Sequence, residues 1–130
     1  MAGIDTSHLV QPQWPLSVGS YREAANQWVA DGNAELIYEA PGGTNFSYSG
    51  DIPIGSLVIM AGPTGDGSYS EWGHGHVCLY AGYYNGKHFV THVGNSRGPE
   101  ISTIEGMQGY GGSDGKSYRF VTAIYKFSPD

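Results

Sequence analysis

Asn85-Gly86 narrows the folds open to this 130-residue chain more than any other feature. The pair sits between two β-rich runs in "HVCLYAGYYNGKHFVTHV" (His76 to Val93), and Asn-Gly tolerates the positive φ angles of a tight hairpin turn. An antiparallel hairpin is expected. Its first strand would carry His76, Cys78 and Tyr80 on one face and Val77, Leu79 and Ala81 on the other. The register depends on the turn. A two-residue turn pairs Tyr84 with Lys87 and sets His76 opposite Asn95. A three-residue loop pairs Tyr83 with Lys87, sets Cys78 opposite His92, and gives His92 the face of His76. One residue of slip exchanges His92 for Asn95 as the polar partner of His76, and the sequence leaves both open.

Around the hairpin, the spacing predicts one helix and several strands. Ser20 and Glu23 form a capping-box pattern, and Ala24, Ala25, Trp28 and Val29 follow at helical spacing, so a helix is expected over about residues 21–31. Asn33 to Ala40 reads equally as a helical turn or a strand. Pro41 to Pro53 has loop composition. The continuous apolar run Ser56 to Ala61 predicts a buried strand, Gly62 to Gly73 a long loop, and Ser117 to Phe127 a closing strand. One helix followed by mostly antiparallel strands is an α+β pattern, and residues 1–130 fit one domain with a modest core.

Composition excludes some classes. The net charge is −6 with only six Lys and Arg, which disfavours nucleic acid or an anionic membrane as partner. No apolar run is long enough to span a bilayer. The amino terminus "MAGIDTSHLVQPQWPL" lacks the basic-then-apolar pattern of a secretory signal, so action outside the cytoplasm would need another delivery route. The single Cys78 excludes an intrachain disulfide.

A thiol hydrolase needs a thiolate, an imidazole to generate it and a third group to orient that imidazole. A helix amino terminus lowers the thiol pKa and offers free N–H groups to an oxyanion. In this chain "AANQWV", "IPIGSLVIM", "GHVCLYAG" and "FVTHVGN" occur in an order that resembles the NlpC-type and CHAP-type peptidoglycan hydrolases. The resemblance covers roughly residues 19 to 96 and implies a papain-like fold, with an N-terminal helix packed on an antiparallel β-sheet. It matches Trp28-Val29 to the family's Phe-Val, Ile54 to Val58 to its strand entry, and His76-Val77 to its general-base histidine and following valine. His92 or Asn95 would then orient His76. The position of the family's nucleophile falls on Ala25, which cannot attack.

The resemblance implies a cysteine peptidase or amidase cutting cell-wall peptide amide bonds, inactive as written because residue 25 is alanine. In the active form a cysteine at 25 would be the nucleophile, and the backbone N–H at 25 would help hold the oxyanion. It also implies a peptidoglycan peptide as substrate, no cofactor, and delivery to the periplasm or cell wall by a secretion system or a phage. For a toxin resembling the type VI amidase effectors, an immunity or inhibitor protein plugging the cleft is the expected partner. The alternative is a natural non-catalytic relative that binds a peptide or partner protein. A metal site drawn from His74, His76, His88, His92 and Glu71 is a further alternative, although no spaced carboxylate or cysteine completes a known pattern. Cys78 is read as a packed, inert thiol facing the helix, and Trp28 as core. Trp72, Tyr69 and Tyr48 either line a groove for sugar or peptide or cover a core edge.

Overall fold

The continuous apolar run of the second strand needs cover on both faces, and the fold supplies it. A computed structural model describes residues 18–64, 66–72, 75–92, 101–109 and 118–127. Helix α1 (Val18–Ala30) is followed by β1 (Ala34–Glu39), β2 (Leu57–Pro63), the two-residue β3 (Tyr69–Ser70), β4 (His76–Tyr84) and β5 (Lys87–His92). Then come β6 (Ile101–Thr103), the short helix α2 (Ile104–Gly109) and β7 (Phe120–Phe127). The strands form an antiparallel sheet in the order β1-β7-β2-β4-β5-β6, with β3 paired to the end of β2. The architecture is α+β, as the sequence pattern predicts.

Alternation along β2 divides the core. Leu57 and Ile59 join Ala24, Ala25, Trp28, Val77, Ala123 and Tyr125 beneath α1. Val58 and Met60 join Cys78, Tyr80, Val90, Val121 and Ile124 beneath Ile104 of α2 on the opposite face. With both faces covered, the strand reads as unbroken apolar sequence. Each fully buried Ile or Val contributes about 1.5–3 kcal/mol relative to exposure. Asn33 to Ala40 resolves as a strand because Ala34 to Glu39 pairs with β7.

The hairpin register combines both expectations. Asn85 (φ 58°) and Gly86 (φ 81°) make the two-residue turn, and Tyr84 pairs with Lys87. Cys78 nevertheless lies opposite His92, because the pairing slips by one residue between Tyr80 and Gly82. A β-bulge at Ala81 absorbs the difference, an insertion that turn chemistry does not reveal.

The edge carrying β6 and α2 is tied to the hairpin by Glu105. The His88 backbone N–H donates to Glu105 Oε1 at 2.9 Å, and its ring Nδ1 lies 2.7 Å from Oε2. Burial raises the Glu105 pKa, but these bonds from His88 outweigh it and hold the carboxyl below its ordinary range. A depressed carboxylate stabilises the fold fully above its unfolded pKa and loses that contribution as pH falls through the folded one. The stability difference between wild type and Glu105→Gln, measured by urea unfolding, is therefore expected to shrink as pH drops below about 4.3. A pH-independent difference would contradict the pairing.

Candidate functional site

α1 begins at Val18, three residues before the expected start, so Ser20 lies inside its first turn rather than at its cap. That first turn packs against the segment leading into β4. The Trp72 indole covers Gly19 so closely that a Cβ there would fall 2.1 Å from Cε2. At Gly75 a Cβ would meet the Glu71 and Met60 carbonyl oxygens at 2.6 and 2.8 Å, which leaves glycine as the residue that fits. The head of the helix is thereby pinned beside the entry to His76.

An open cleft of about 610 Å³ lies along this end of the molecule. Arg22, Glu39, Glu71, Trp72, Tyr69, Thr122 and the backbone of Ala40 to Gly42 line it. Among the described residues its charge comes from one cation and two carboxylates. Arg22 Nη2 pairs with Glu39 Oε2, and Nη1 lies 3.7 Å from Glu71 Oε2. The Arg22 guanidinium also stands 5.7 Å from the Tyr125 ring centroid, a cation–π arrangement. Burial pushes the Tyr125 phenol up to about 12 against the opposing pull of Arg22, and its hydroxyl donates to Asn26 Oδ1.

A bulge in β7 completes the cleft. Pairing with β2 slips between Ile59 and Met60, so Thr122 has no partner on β2 in the ladder. Its hydroxyl donates to Glu71 Oε2 at 2.5 Å. Arg22 Nη1 is buried with no hydrogen bond among the described residues. The set has a formal charge of −1, with Glu39 the more exposed acid at 58% and Glu71 at 18%. Chemically it suits an ammonium carried on an aliphatic stem that lies along the indole.

The sequence-predicted catalytic residues are placed differently from expectation. Ala25 is the eighth residue of α1, about 10 Å along the axis from its first residue. It is 0% exposed, in the apolar cluster with Leu57, Ile59 and Val77. An interior helical N–H is committed to the carbonyl four residues back, so that of Ala25 has no hydrogen left for an oxyanion. His76 pairs with Met60, which packs beneath α2, so strand alternation puts His76 on the face opposite Ala25. The expectation that a strand histidine faces residue 25 is corrected: the sheet stands between them.

His92 lies opposite Cys78 in the backbone register and so shares the face of His76. Asn95 and the side chain of His92 lie outside the described residues. Cys78 faces α2, not α1 as expected from the sequence, because alternation sets it with Val58 and Val90. Burial pushes its thiol far above the ordinary range and leaves it inert.

The candidate metal residues do not converge. His74 lies outside the described residues, and His88 pairs with Tyr83 at the hairpin tip, seven residues from His76 or about 23 Å along β4. Among the described residues no group of three His, Cys, Asp or Glu side chains is arranged to hold a metal. No described helix is long and apolar enough to cross a membrane.

Trp28 is core at 6% exposure, Trp72 and Tyr69 line the cleft, and Tyr48 lines a separate cavity. Sequence reasoning missed Arg22, and it considered Glu71 only as a metal ligand. The one available signal was a lone arginine three residues before Ala25 on the predicted helix, which has meaning only once Glu71 is brought to it. Comparison with known families, curated proteins and solved structures finds no match for the chain.

Proposed function

We propose that this chain is a non-catalytic, papain-like domain that binds amine-bearing peptides of the cell-wall type in the Arg22–Glu71 cleft. The observation that carries this reading is the cleft itself: two carboxylates around one guanidinium beside an exposed indole, at the head of the helix the resemblance singles out. Glu39 receives the ammonium of a diamino side chain, and Trp72 takes its methylene stem. Glu71 is held by Thr122 and serves as a fixed second acceptor. On this reading residue 25, buried in the core, takes no part in any chemistry.

A second reading keeps the peptidoglycan amidase. The Cys78–His92 register gives His76 and His92 the common face it requires, although residue 25 lies on the other face of the sheet. On that reading residue 25 is cysteine in an active form, the protein reaches the cell wall by secretion or phage, and an immunity protein covers the cleft. One experiment separates the two. Wild type and Ala25→Cys are titrated with soluble muropeptides by calorimetry and then incubated with them for mass spectrometry. Both proteins are expected to bind and neither to yield new products. New products from Ala25→Cys would establish the amidase, and no binding by wild type would overturn the peptide reading.

A further inference from the structure

A second cavity lies away from the Arg22 cleft, under the loop that joins β1 to β2. It measures about 560 Å³ and is lined by Tyr48, Asp51, Ile54, Tyr80, Tyr83 and His88, with the backbone of the loop between them. We infer that this cavity is a binding site for a neutral saccharide.

The argument starts from the rings. His88 packs against Tyr83 with centroids 4.7 Å apart, against Phe46 at 4.9 Å and against Tyr80 at 6.0 Å, so its ring is held in a fixed aromatic wall. Tyr83 and Ile54 stand at the mouth, 63% and 69% exposed, where an apolar surface would otherwise be solvated at a cost. Tyr48 lies so close to Gly50 that a Cβ there would fall 2.5 Å from its hydroxyl oxygen, which fixes Tyr48 against the loop. A sugar ring has a C–H face that stacks on such rings and a rim of hydroxyls that needs partners.

The polar groups match that rim. Glu105 engages His88 with both carboxylate oxygens, and as an ionised acid it only accepts, so Nδ1 carries the proton. In the neutral ring Nε2 is then an acceptor for a hydroxyl. Asp51 offers two oxygens to neighbouring hydroxyls, and the Tyr48, Tyr80 and Tyr83 phenols both donate and accept. Among the described residues no lysine or arginine lines the cavity, which argues against phosphorylated or carboxylated ligands. A small organic cation is the competing occupant, and it would need only Asp51 and the rings.

This inference does not rest on the peptide reading of the Arg22 cleft, and its test uses neither a peptide nor a cleft residue. The ¹⁵N-labelled full chain is titrated by NMR with the β-1,4-linked trisaccharide of N-acetylglucosamine, and in parallel with choline. Saturable shifts are expected for the saccharide at millimolar concentration, confined to residues 48–54 and 80–88. Tyr83→Ala and Asp51→Asn, both at exposed positions, should each weaken binding about tenfold while leaving the remaining spectrum in place. Shifts with choline alone would reassign the cavity to a cation, and no shifts with either probe would overturn the site.

Discussion

Glu71→Ala is expected to lower the unfolding free energy by about 2–4 kcal/mol at neutral pH, a large share of the stability of a domain this size. The reason is what it leaves behind. Arg22 is 16% exposed and its Nη1 has no hydrogen bond among the described residues, so the guanidinium depends on Glu71 and Glu39 for its compensation. Glu39 is mostly solvated, and a solvated partner contributes little. The Thr122 hydroxyl loses its short bond to Glu71 at the same time and keeps only the longer one to the Ile59 carbonyl, at 3.3 Å. Removing both charges behaves differently: Arg22→Met combined with Glu71→Leu should recover most of the loss, because no buried charge is stranded. Urea unfolding of the wild type, Arg22→Met, Glu71→Leu and the double variant closes the cycle, with Glu71→Ala measured beside it. A loss under about 0.5 kcal/mol for Glu71→Ala would show that the pair is not desolvated in solution.

The parts of the fold legible in the sequence were those written in local chemistry. Asn85-Gly86 specified its turn because only those residues sit easily at positive φ. Residues 57–61 read as a buried strand from their unbroken apolar run, although nothing in the run says what covers each face. Helix α1 was legible in its middle and not at its start, since the Ser20–Glu23 capping pattern gave way to tertiary packing of Gly19 on Trp72. β6 and α2 were missed altogether. Both are short, and α2 depends on contacts such as Glu105 with His88, 17 residues away in sequence.

The bulges matter more for function than the missed elements do. A single extra residue at Ala81 reconciles two registers that a straight ladder makes exclusive, and another at Thr122 turns a hydroxyl toward Glu71. Neither has a composition signal, because a bulge is decided by the twist of the assembled sheet. The candidate site was therefore legible as an address and illegible as a constellation. The sequence pointed to the helix and to the entry of β4, while the charged groups that meet there are Arg22 and Glu71, 49 positions apart in the numbering.

Ala25→Asp is the substitution that separates a core residue from an emptied active site, and it is expected to cost about 3–5 kcal/mol at neutral pH. A nucleophile position at a helix head is reached by solvent and substrate, and a small polar side chain is tolerated there. Ala25 is instead 0% exposed beneath Leu57, Ile59 and Val77, which offer no hydrogen bond to a carboxylate. The nearest cation in sequence, Arg22, already carries Glu39 and Glu71, so a third acid would not be compensated. Burial raises the folded pKa of the introduced carboxyl above its unfolded value. The penalty is therefore largest above that folded pKa and eases as pH falls through it. Ala25→Cys adds one apolar-tolerant atom and should cost under about 1.5 kcal/mol, with a thiol that stays silent to a water-soluble alkylating reagent until the chain unfolds. Near-wild-type stability of Ala25→Asp, or a reactive thiol in folded Ala25→Cys, would place residue 25 at a solvent-facing site and restore the hydrolase reading. The expected pair of results fixes residue 25 as a packing position, since a charged group has no polar partner between α1 and the sheet.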